Sequence, residues 1–166
     1  MSAAPDQDAL ETLARELGEA LLERGWRAAT AESCTGGWIA QAITAIAGSS
    51  DWFEAGLVTY SNAAKISLLG VAPMLIERHG AVSAETAAAM AAGALRVTGA
   101  DIACAVTGVA GPGGGSAAKP VGTVWFGFAT RTGGAASELG RFDGDRRAVR
   151  AHTVAHALRG LLDRLA

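Results

Sequence analysis

The stretch VGTVWFGFAT, residues 121–130, is nearly continuous in apolar residues. A run of this kind is typical of a β-strand covered on both faces, as in sheets that carry helices on either side. The turn-like RTGG at 131–134 separates it from ASELGRF at 136–142, which predicts a hairpin of two strands. We therefore expect a sheet with helices packed on it.

Upstream of this hairpin, helical and strand patterns alternate. A first amphipathic helix, marked by Leu10, Leu13, Leu17 and Leu21, is predicted to end near Gly25, and Ser83 is placed to cap an Ala-rich helix over 84–98. Further strands are expected at about 26–31, 55–61 and 101–108, and further helices at about 37–46, 62–70 and 145–165. This order predicts a single-domain, layered α/β/α sandwich with a mixed sheet over residues 1–166.

Composition excludes several classes of function. Half of the 166 residues are hydrophobic and the net charge is −2, which argues against disorder and against a nucleic-acid partner. No apolar stretch approaches the roughly 20 residues that span a bilayer, and the acidic N-terminal segment lacks a secretory signal. Two cysteines make no disulfide scaffold, so we expect a cytoplasmic protein.

The segment ESCTGG at 32–37 lies where a strand is predicted to lead into a helix. Ligands of open α/β sheets bind at the carboxyl ends of strands, where a helix N-terminus adds free N–H groups and partial positive charge. Two interpretations are open: Ser33 or Thr35 caps the helix, or Ser33 is a nucleophile beside an anion-binding turn. Cys34 is a rival nucleophile, but adjacent side chains cannot both point at one substrate atom.

A serine nucleophile needs a base, and Lys65 is one candidate. It lies in the apolar segment AAKISLLG, where desolvation would lower its pKa, unless it is a surface group with a buried stem. No single histidine is favoured as the base of a Ser-His-Asp triad. His152 and His156 are four residues apart, as in a metal pair, but no third ligand has metal-site spacing, so no metal is expected.

The loop TGVAGPGGGSAAKP at 107–120 contains five glycines and two prolines. Exposed backbone amides in such a loop can cradle a phosphate or a carboxylate. It is neither a Walker A loop nor a dinucleotide fingerprint, because no Gly-Lys-Ser/Thr follows and a strand comes next. The alternative is a flexible connection, although long loops in compact domains are more often functional.

Taken together, the motifs resemble the nicotinamide-nucleotide amidase family, the standalone form of the C-terminal domain of the competence/damage-inducible CinA proteins. The resemblance covers residues 8–162 and rests on AESCTGG (31–37), IAGSSDWFEAGLVTYSNAAK (46–65), GAVS (80–83), TGVAGPGGGS (107–116), KPVGTVW (119–125) and GDR with VR (144–150). It implies a bacterial amidohydrolase that converts nicotinamide mononucleotide to nicotinate mononucleotide and ammonia in pyridine-nucleotide salvage. It also implies a homodimer or larger oligomer and no metal or other cofactor.

The resemblance also implies roles for individual residues. Ser33 is the nucleophile, Lys65 is its base, and Tyr60 lies beside them. The remaining positions are implied to bind the reacting oxyanion or the substrate: Thr35, Gly36, Gly37, Thr107, Gly108, Gly111, Gly113, Gly114 and Arg146. Arg150 is an alternative to Arg146. The chain departs from the family at Ala117 and Ala118, where one or two acidic residues are usual.

Two other functions compete with this interpretation. The chain could be a non-catalytic module that binds a nucleotide or a protein partner, since the family also occurs fused to another domain. Retention of Ser33, Tyr60 and Lys65 argues against that alternative, because a binding module needs neither a nucleophile nor a base. An amidase acting on a different pyridine or nucleoside amide is the other possibility.

Overall fold

A computed structural model describes residues 2–166 and contains five strands and six helices. The strands are β1 (Ala28–Glu32), β2 (Phe53–Val58), β3 (Ile102–Gly108), β4 (Thr123–Thr130) and β5 (Gly134–Arg141). The helices are α1 (Gln7–Arg24), α2 (Trp38–Thr44), α3 (Asn62–Leu69), α4 (Pro73–His79), α5 (Ala84–Thr98) and α6 (Arg146–Asp163).

All five strands form one mixed sheet in the order β2-β1-β3-β4-β5. Strands β2, β1 and β3 are parallel, whereas β4 pairs antiparallel with both β3 and β5. The carboxyl ends of the three parallel strands therefore meet at one edge of the sheet. Ser33 follows β1, Tyr60 follows β2, and Thr107 is near the end of β3, so this edge gathers polar groups from separate parts of the chain.

Helices cover both faces of the sheet. Helices α1, α2 and α6 lie over one face, where their core includes Leu17, Ile39 and Leu158. Helices α3, α4 and α5 lie over the other face, where Leu69 and Met90 are fully buried. The predicted α/β/α sandwich with a mixed sheet is confirmed.

Helix ends follow the predicted local signals. Helix α1 ends at Gly25, which has a left-handed φ of 65°. Ser83 caps α5 by accepting a hydrogen bond from the Thr86 N–H, and the Asp145 carboxylate caps α6 in the same way. None of the helices in residues 2–166 has the length and apolarity needed to cross a membrane.

The histidine pair of α6 packs among aromatic rings. His156 lies 4.1 Å from the Phe126 ring, centroid to centroid, and its Nε2 is 3.2 Å from a carboxylate oxygen of Glu138. His152 stacks on Phe142 with a centroid distance of 5.6 Å. The face of α6 that carries both histidines therefore packs against the hairpin of β4 and β5.

Candidate active site

Ser33 and Lys65 are in direct contact although 32 residues separate them in the sequence. The Lys65 ammonium group donates hydrogen bonds to Ser33 Oγ at 3.1 Å and to the Tyr60 carbonyl oxygen at 3.0 Å. Ser33 Oγ is itself 3.3 Å from the same carbonyl oxygen. The side chain of Ser61 caps α3, which places Lys65 one turn into the helix and facing the end of β1. The geometry is that of a nucleophile beside a base.

Burial changes the chemistry of Lys65. Its side chain is only 1% exposed, and no carboxylate in residues 2–166 forms a salt bridge with it. Desolvation lowers the pKa of Lys65 below its usual value. A lowered pKa increases the fraction of neutral amine that is able to accept a proton.

Cys34 has the opposite character. It is 6% exposed and belongs to the apolar core beneath α1, α2 and α6. Burial raises the pKa of the Cys34 thiol to about 12, which keeps it protonated near neutral pH. Cys34 and Cys104 are both free thiols. Of the two adjacent candidates, Ser33 is therefore the one with an activating neighbour.

A buried carboxylate, rather than Ser33 or Thr35, caps α2. Glu32, the last residue of β1, accepts hydrogen bonds at one oxygen from Thr35 Oγ1 (2.6 Å) and the Ile39 N–H (2.8 Å). Its other oxygen accepts from the Ala40 N–H at 3.0 Å. Burial raises the pKa of Glu32, and these hydrogen bonds act against that rise. The interpretation of Ser33 or Thr35 as the helix cap is wrong, since the N-cap position is Gly37, which has no side chain.

The turn between β1 and α2 uses its glycines to reverse direction. Gly36 and Gly37 have φ values of 59° and 102°, a region that L side chains rarely adopt. The Gly36 N–H donates to the Ser33 carbonyl oxygen at 3.1 Å. The Thr35 N–H donates no hydrogen bond to any part of residues 2–166. Within the predicted oxyanion segment, Gly36 is thus already engaged and Thr35 has a free donor.

Arg150 holds the same turn from α6. Its Nε donates to the Cys34 carbonyl oxygen at 3.1 Å, and its Nη2 donates to the Thr35 carbonyl oxygen at 2.9 Å. Arg146, one turn earlier on α6, instead donates to the carbonyl oxygen of Gly111 at 2.7 Å. The two arginines therefore secure different loops at the same edge of the sheet.

A cavity of about 250 Å³ opens beside Ser33. Six residues of the predicted site line it: Ser33, Tyr60, Lys65, Thr107, Gly108 and Arg146. The phenol of Tyr60 is largely exposed, and its carbonyl oxygen is the group that contacts Lys65. The Thr107 hydroxyl donates to the Ala81 carbonyl oxygen at 2.9 Å.

The other predicted residues lie outside this cavity. The Thr35 hydroxyl is fully buried against Glu32, and Gly36 and Gly37 border a separate cavity of about 430 Å³ along α2. In the glycine-rich loop, Gly111 contributes a carbonyl oxygen to Arg146. Gly113 and Gly114 are exposed, and they line neither of these cavities. A local motif identifies a loop but not which of its residues reach the site.

A larger cavity of about 640 Å³ adjoins the first, and the two share Ala110 and Arg146. Its wall contains three arginines, Arg146, Arg147 and Arg150, together with Pro112 of the glycine-rich loop. A cavity with several guanidinium groups suits an anionic ligand group such as a phosphate. The Ser33 hydroxyl thus lies in the wall of one cavity, and the three arginines lie, with Asp145, in the wall of its neighbour.

Sequence reasoning missed two functional candidates, Glu32 and Asn62, and named Arg150 only as an alternative to Arg146 for substrate binding. Glu32 could have been found from the sequence, because it is a lone carboxylate at the end of an apolar strand. A carboxylate buried at such a position needs hydrogen-bond donors. Asn62, the first residue of α3, lines the cavity. The contacts of Arg150 had no local signal, because its partner carbonyls lie about 115 residues away in the chain.

Comparisons with known proteins give the family. The CinA C-terminal domain model matches residues 10–165. The chain is 57% identical to the nicotinamide-nucleotide amidohydrolase PncC of Pseudomonas putida, with 93% of this chain and 96% of the relative covered. It is 53% identical to the Escherichia coli protein of the same name, with 92% of each covered.

A solved structure agrees with this assignment. The competence/damage-inducible protein CihA of Agrobacterium tumefaciens superposes with a TM-score of 0.91 at 46% identity, covering 98% of both chains. The match extends over the whole sheet and both helical layers. The chain belongs to the CinA C-terminal domain family.

Proposed function

We propose that the protein hydrolyses the carboxamide of nicotinamide mononucleotide, giving nicotinate mononucleotide and ammonia. The observation that carries this proposal is the 3.1 Å contact between Lys65 Nζ and Ser33 Oγ at the wall of a cavity whose neighbour is lined by three arginines. The amidohydrolase names of the similar Pseudomonas putida and Escherichia coli proteins support the choice of substrate.

The reaction begins with neutral Lys65. Its amine accepts the Ser33 Oγ proton while Oγ attacks the carboxamide carbon, forming a tetrahedral intermediate with a negatively charged oxygen. The Tyr60 carbonyl oxygen, which contacts both groups, keeps the amine and the hydroxyl together. Lys65 then gives the proton to the amide nitrogen, the carbon–nitrogen bond breaks, and ammonia leaves.

Hydrolysis of the resulting ester completes the cycle. With Lys65 neutral again, the amine takes a proton from a water molecule that attacks the ester carbon. The second tetrahedral intermediate expels Ser33 Oγ, which recovers a proton from Lys65. The net change is addition of water across the carbon–nitrogen bond, with one carboxylic acid and one ammonia formed.

The charged oxygen of both intermediates needs a hydrogen-bond donor, and the Cys34 N–H, which has no backbone partner within residues 2–166, belongs to a residue that lines the cavity beside Ser33. A donor of this kind contributes roughly 3 kcal/mol to transition-state stabilisation where it has been tested. The Gly36 N–H is occupied by the Ser33 carbonyl oxygen and Thr35 is fully buried, so we assign the oxyanion contact to the Cys34 amide.

Each of the two cavities receives a different part of the substrate. The smaller cavity receives the pyridine carboxamide beside Ser33, and the larger one receives the 5′-phosphate near Arg146. Binding energy from the remote phosphate then orients the amide for attack. Gly113 and Gly114 are exposed and line neither cavity. In this arrangement they contribute only to the conformation of the loop.

The test is ammonia release from nicotinamide mononucleotide by the purified protein, by Ser33→Ala and by Cys34→Ala, with a chelator present. We expect activity in the wild type and in Cys34→Ala, and none in Ser33→Ala. Binding without ammonia release by the wild type would instead identify a binding module. Release from a different pyridine amide alone would correct the substrate. Activity in Ser33→Ala would overturn the mechanism.

We also propose a homo-oligomer in the cytoplasm. Buried free thiols at Cys34 and Cys104 support a reducing compartment. Large exposed apolar side chains, among them Val58, Leu68 and Met74, support self-association. The mass in solution, measured by light scattering after gel filtration, tests the oligomeric state.

A further inference from the structure

We propose that Asn62 is a substrate-binding residue that selects the carboxamide group, by accepting a hydrogen bond from the substrate NH2. The inference rests on the proposed amidase function and names a specificity determinant for it. Asn62 is the first residue of α3, and it lines the same cavity as Ser33 and Lys65. Within residues 2–166 it is the only residue of that cavity wall with a side-chain amide.

Helix periodicity places Asn62 beside the reacting pair. Asn62 and Lys65 are three residues apart on α3, a spacing that puts two side chains on one helix face with Cβ atoms about 5–6 Å apart. Helical side chains lean toward the N-terminal end of their helix. Lys65 does so here, because its Nζ reaches the carbonyl oxygen of Tyr60, which precedes α3, at 3.0 Å. The same Nζ is 3.1 Å from Ser33 Oγ, so the reacting pair lies alongside the turn of α3 that Asn62 begins.

The hydrogen-bonding groups of the Asn62 side chain are available to a ligand. The side chain forms no hydrogen bond within residues 2–166, although the neighbouring Ser61 and Lys65 side chains do. Thr107 and Arg146, two other polar residues of the cavity wall, donate to carbonyl oxygens of the chain at 2.9 and 2.7 Å. Asn62 is also exposed, so its amide can contact a ligand without breaking an internal hydrogen bond.

A carboxamide needs an acceptor as well as a donor when it binds beside Ser33. Its carbonyl oxygen takes a donor, the role assigned to the Cys34 N–H, but its NH2 group needs an acceptor. The Asn62 Oδ1 atom supplies one. Holding one N–H in this way also leaves the nitrogen lone pair of the tetrahedral intermediate free to take the proton from Lys65. An ester or a carboxylate in the same position has no N–H and cannot make this contact.

Two substrates that differ only in the reacting group test the proposal. They are nicotinamide mononucleotide and the methyl ester of nicotinate mononucleotide, with ammonia and methanol release measured in the steady state. Asn62→Leu should lower kcat/KM for the amide on the order of 10-fold relative to the ester, because the ester has no N–H that could lose a partner. Asn62→Asp, whose oxygens still accept, should keep the wild-type ratio of the two substrates. An equal loss on both substrates in Asn62→Leu would overturn the proposal.

Ser67→Ala is the matched control for these variants. Ser67 is an exposed polar residue of the same helix, and it lines neither of the two cavities at the site. The change should leave kcat/KM for both substrates at the wild-type value. A shift of the amide-to-ester ratio in Ser67→Ala would show that the ratio responds to any change in α3, and would contradict a specific role for Asn62.

Equilibrium binding separates this proposal from the proposed function and from misfolding. In a Ser33→Ala background, which lacks the nucleophile, calorimetry gives the Kd of the same amide and ester. Ser33→Ala should bind the amide more tightly, and adding Asn62→Leu should abolish this preference in a protein with an unchanged circular dichroism spectrum. Absence of ammonia release by the wild type would contradict the amidase function alone. Equal affinity of Ser33→Ala for the two ligands, or binding of neither, would contradict the role of Asn62.

Discussion

Lys65 Nζ lies 3.1 Å from Ser33 Oγ, while no carboxylate within residues 2–166 forms a salt bridge with the lysine. Burying an ammonium group without a counterion opposes folding. The arrangement therefore has no rationale in stability, but it has one in chemistry, because the same desolvation that lowers the Lys65 pKa supplies a neutral amine.

The first prediction concerns pH. Because the proposed reaction requires neutral Lys65, kcat/KM for ammonia release should rise with pH through the lowered pKa of Lys65 and then level off. Lys65→Arg, whose guanidinium stays protonated, and Lys65→Met should both lose activity by a factor on the order of 10²–10⁴. An activity that falls across the same pH range would contradict the assignment of Lys65 as the base.

Stability should show the complementary effect. Between the lowered pKa of the folded state and the ordinary value of 10.5, the unfolded chain binds more protons at Lys65 than the folded protein does. The free energy of unfolding therefore rises with pH across that window. Lys65→Met removes this contribution, so urea denaturation at several pH values should show a weaker rise than in the wild type. Equal slopes in both proteins would exclude a desolvated Lys65.

Glu32 is predicted to hold the nucleophile turn. In Glu32→Gln one oxygen can still accept from Thr35 and Ile39, but the amide nitrogen faces the Ala40 N–H, donor against donor. Losing that acceptor should cost about 1–3 kcal/mol. Glu32→Ala, which leaves all the donors unpaired and a cavity behind, should cost about 3 kcal/mol or more.

The exposed Glu54 provides the control for Glu32. It pairs with Arg27 at 2.6 Å on the surface, and both side chains are 40% exposed. Glu54→Gln should change the free energy of unfolding by about 1 kcal/mol or less. Chemical denaturation measures all three variants. A Glu32→Gln protein as stable as Glu54→Gln would show that the buried hydrogen bonds do not hold the turn.

Gly127 tests the packing of α5 on the sheet. A Cβ added there would lie 2.0 Å from the Ala87 carbonyl oxygen, a backbone atom that cannot move away independently. Gly127→Ala should therefore destabilise the fold by about 3 kcal/mol or more. Gly113→Ala, where an added Cβ would meet nothing within 4 Å, should leave the melting temperature nearly unchanged. Similar melting temperatures for the two variants would contradict the close approach.

The layers of the fold were accessible to sequence reasoning because their signals are local. The apolar run at 121–130 predicted β4, which the structure places between β3 and β5 with α5 packed on it. Ser83 and Gly25 marked helix ends through their own backbone preferences. Each of these features depends on residues within a few positions of one another.

The site was less accessible because its parts are joined only by tertiary structure. Residue types alone suggested Ser33 and Lys65 as partners, but only the fold brings them together across 32 positions. The motif ESCTGG suggested a cap from Ser33 or Thr35, whereas the cap comes from its first residue, Glu32, whose carboxylate accepts from the N–H groups of Ile39 and Ala40. The contacts of Arg150 had no local pattern at all, because its hydrogen bonds go to carbonyl groups, which every residue possesses.

The final prediction concerns Arg146, which lines both cavities and supports the glycine-rich loop through Gly111. If this arginine receives the 5′-phosphate, Arg146→Ala should raise KM for nicotinamide mononucleotide by a factor on the order of 10 to 100, since a charge-assisted hydrogen bond contributes roughly 1.5–3 kcal/mol. The effect on kcat should be smaller. With nicotinamide riboside, which lacks the phosphate, wild type and Arg146→Ala should differ much less, and steady-state ammonia release measures both substrates. An equal loss with the two substrates would mean that Arg146 acts by holding the loop, and that the phosphate lies elsewhere along the basic wall.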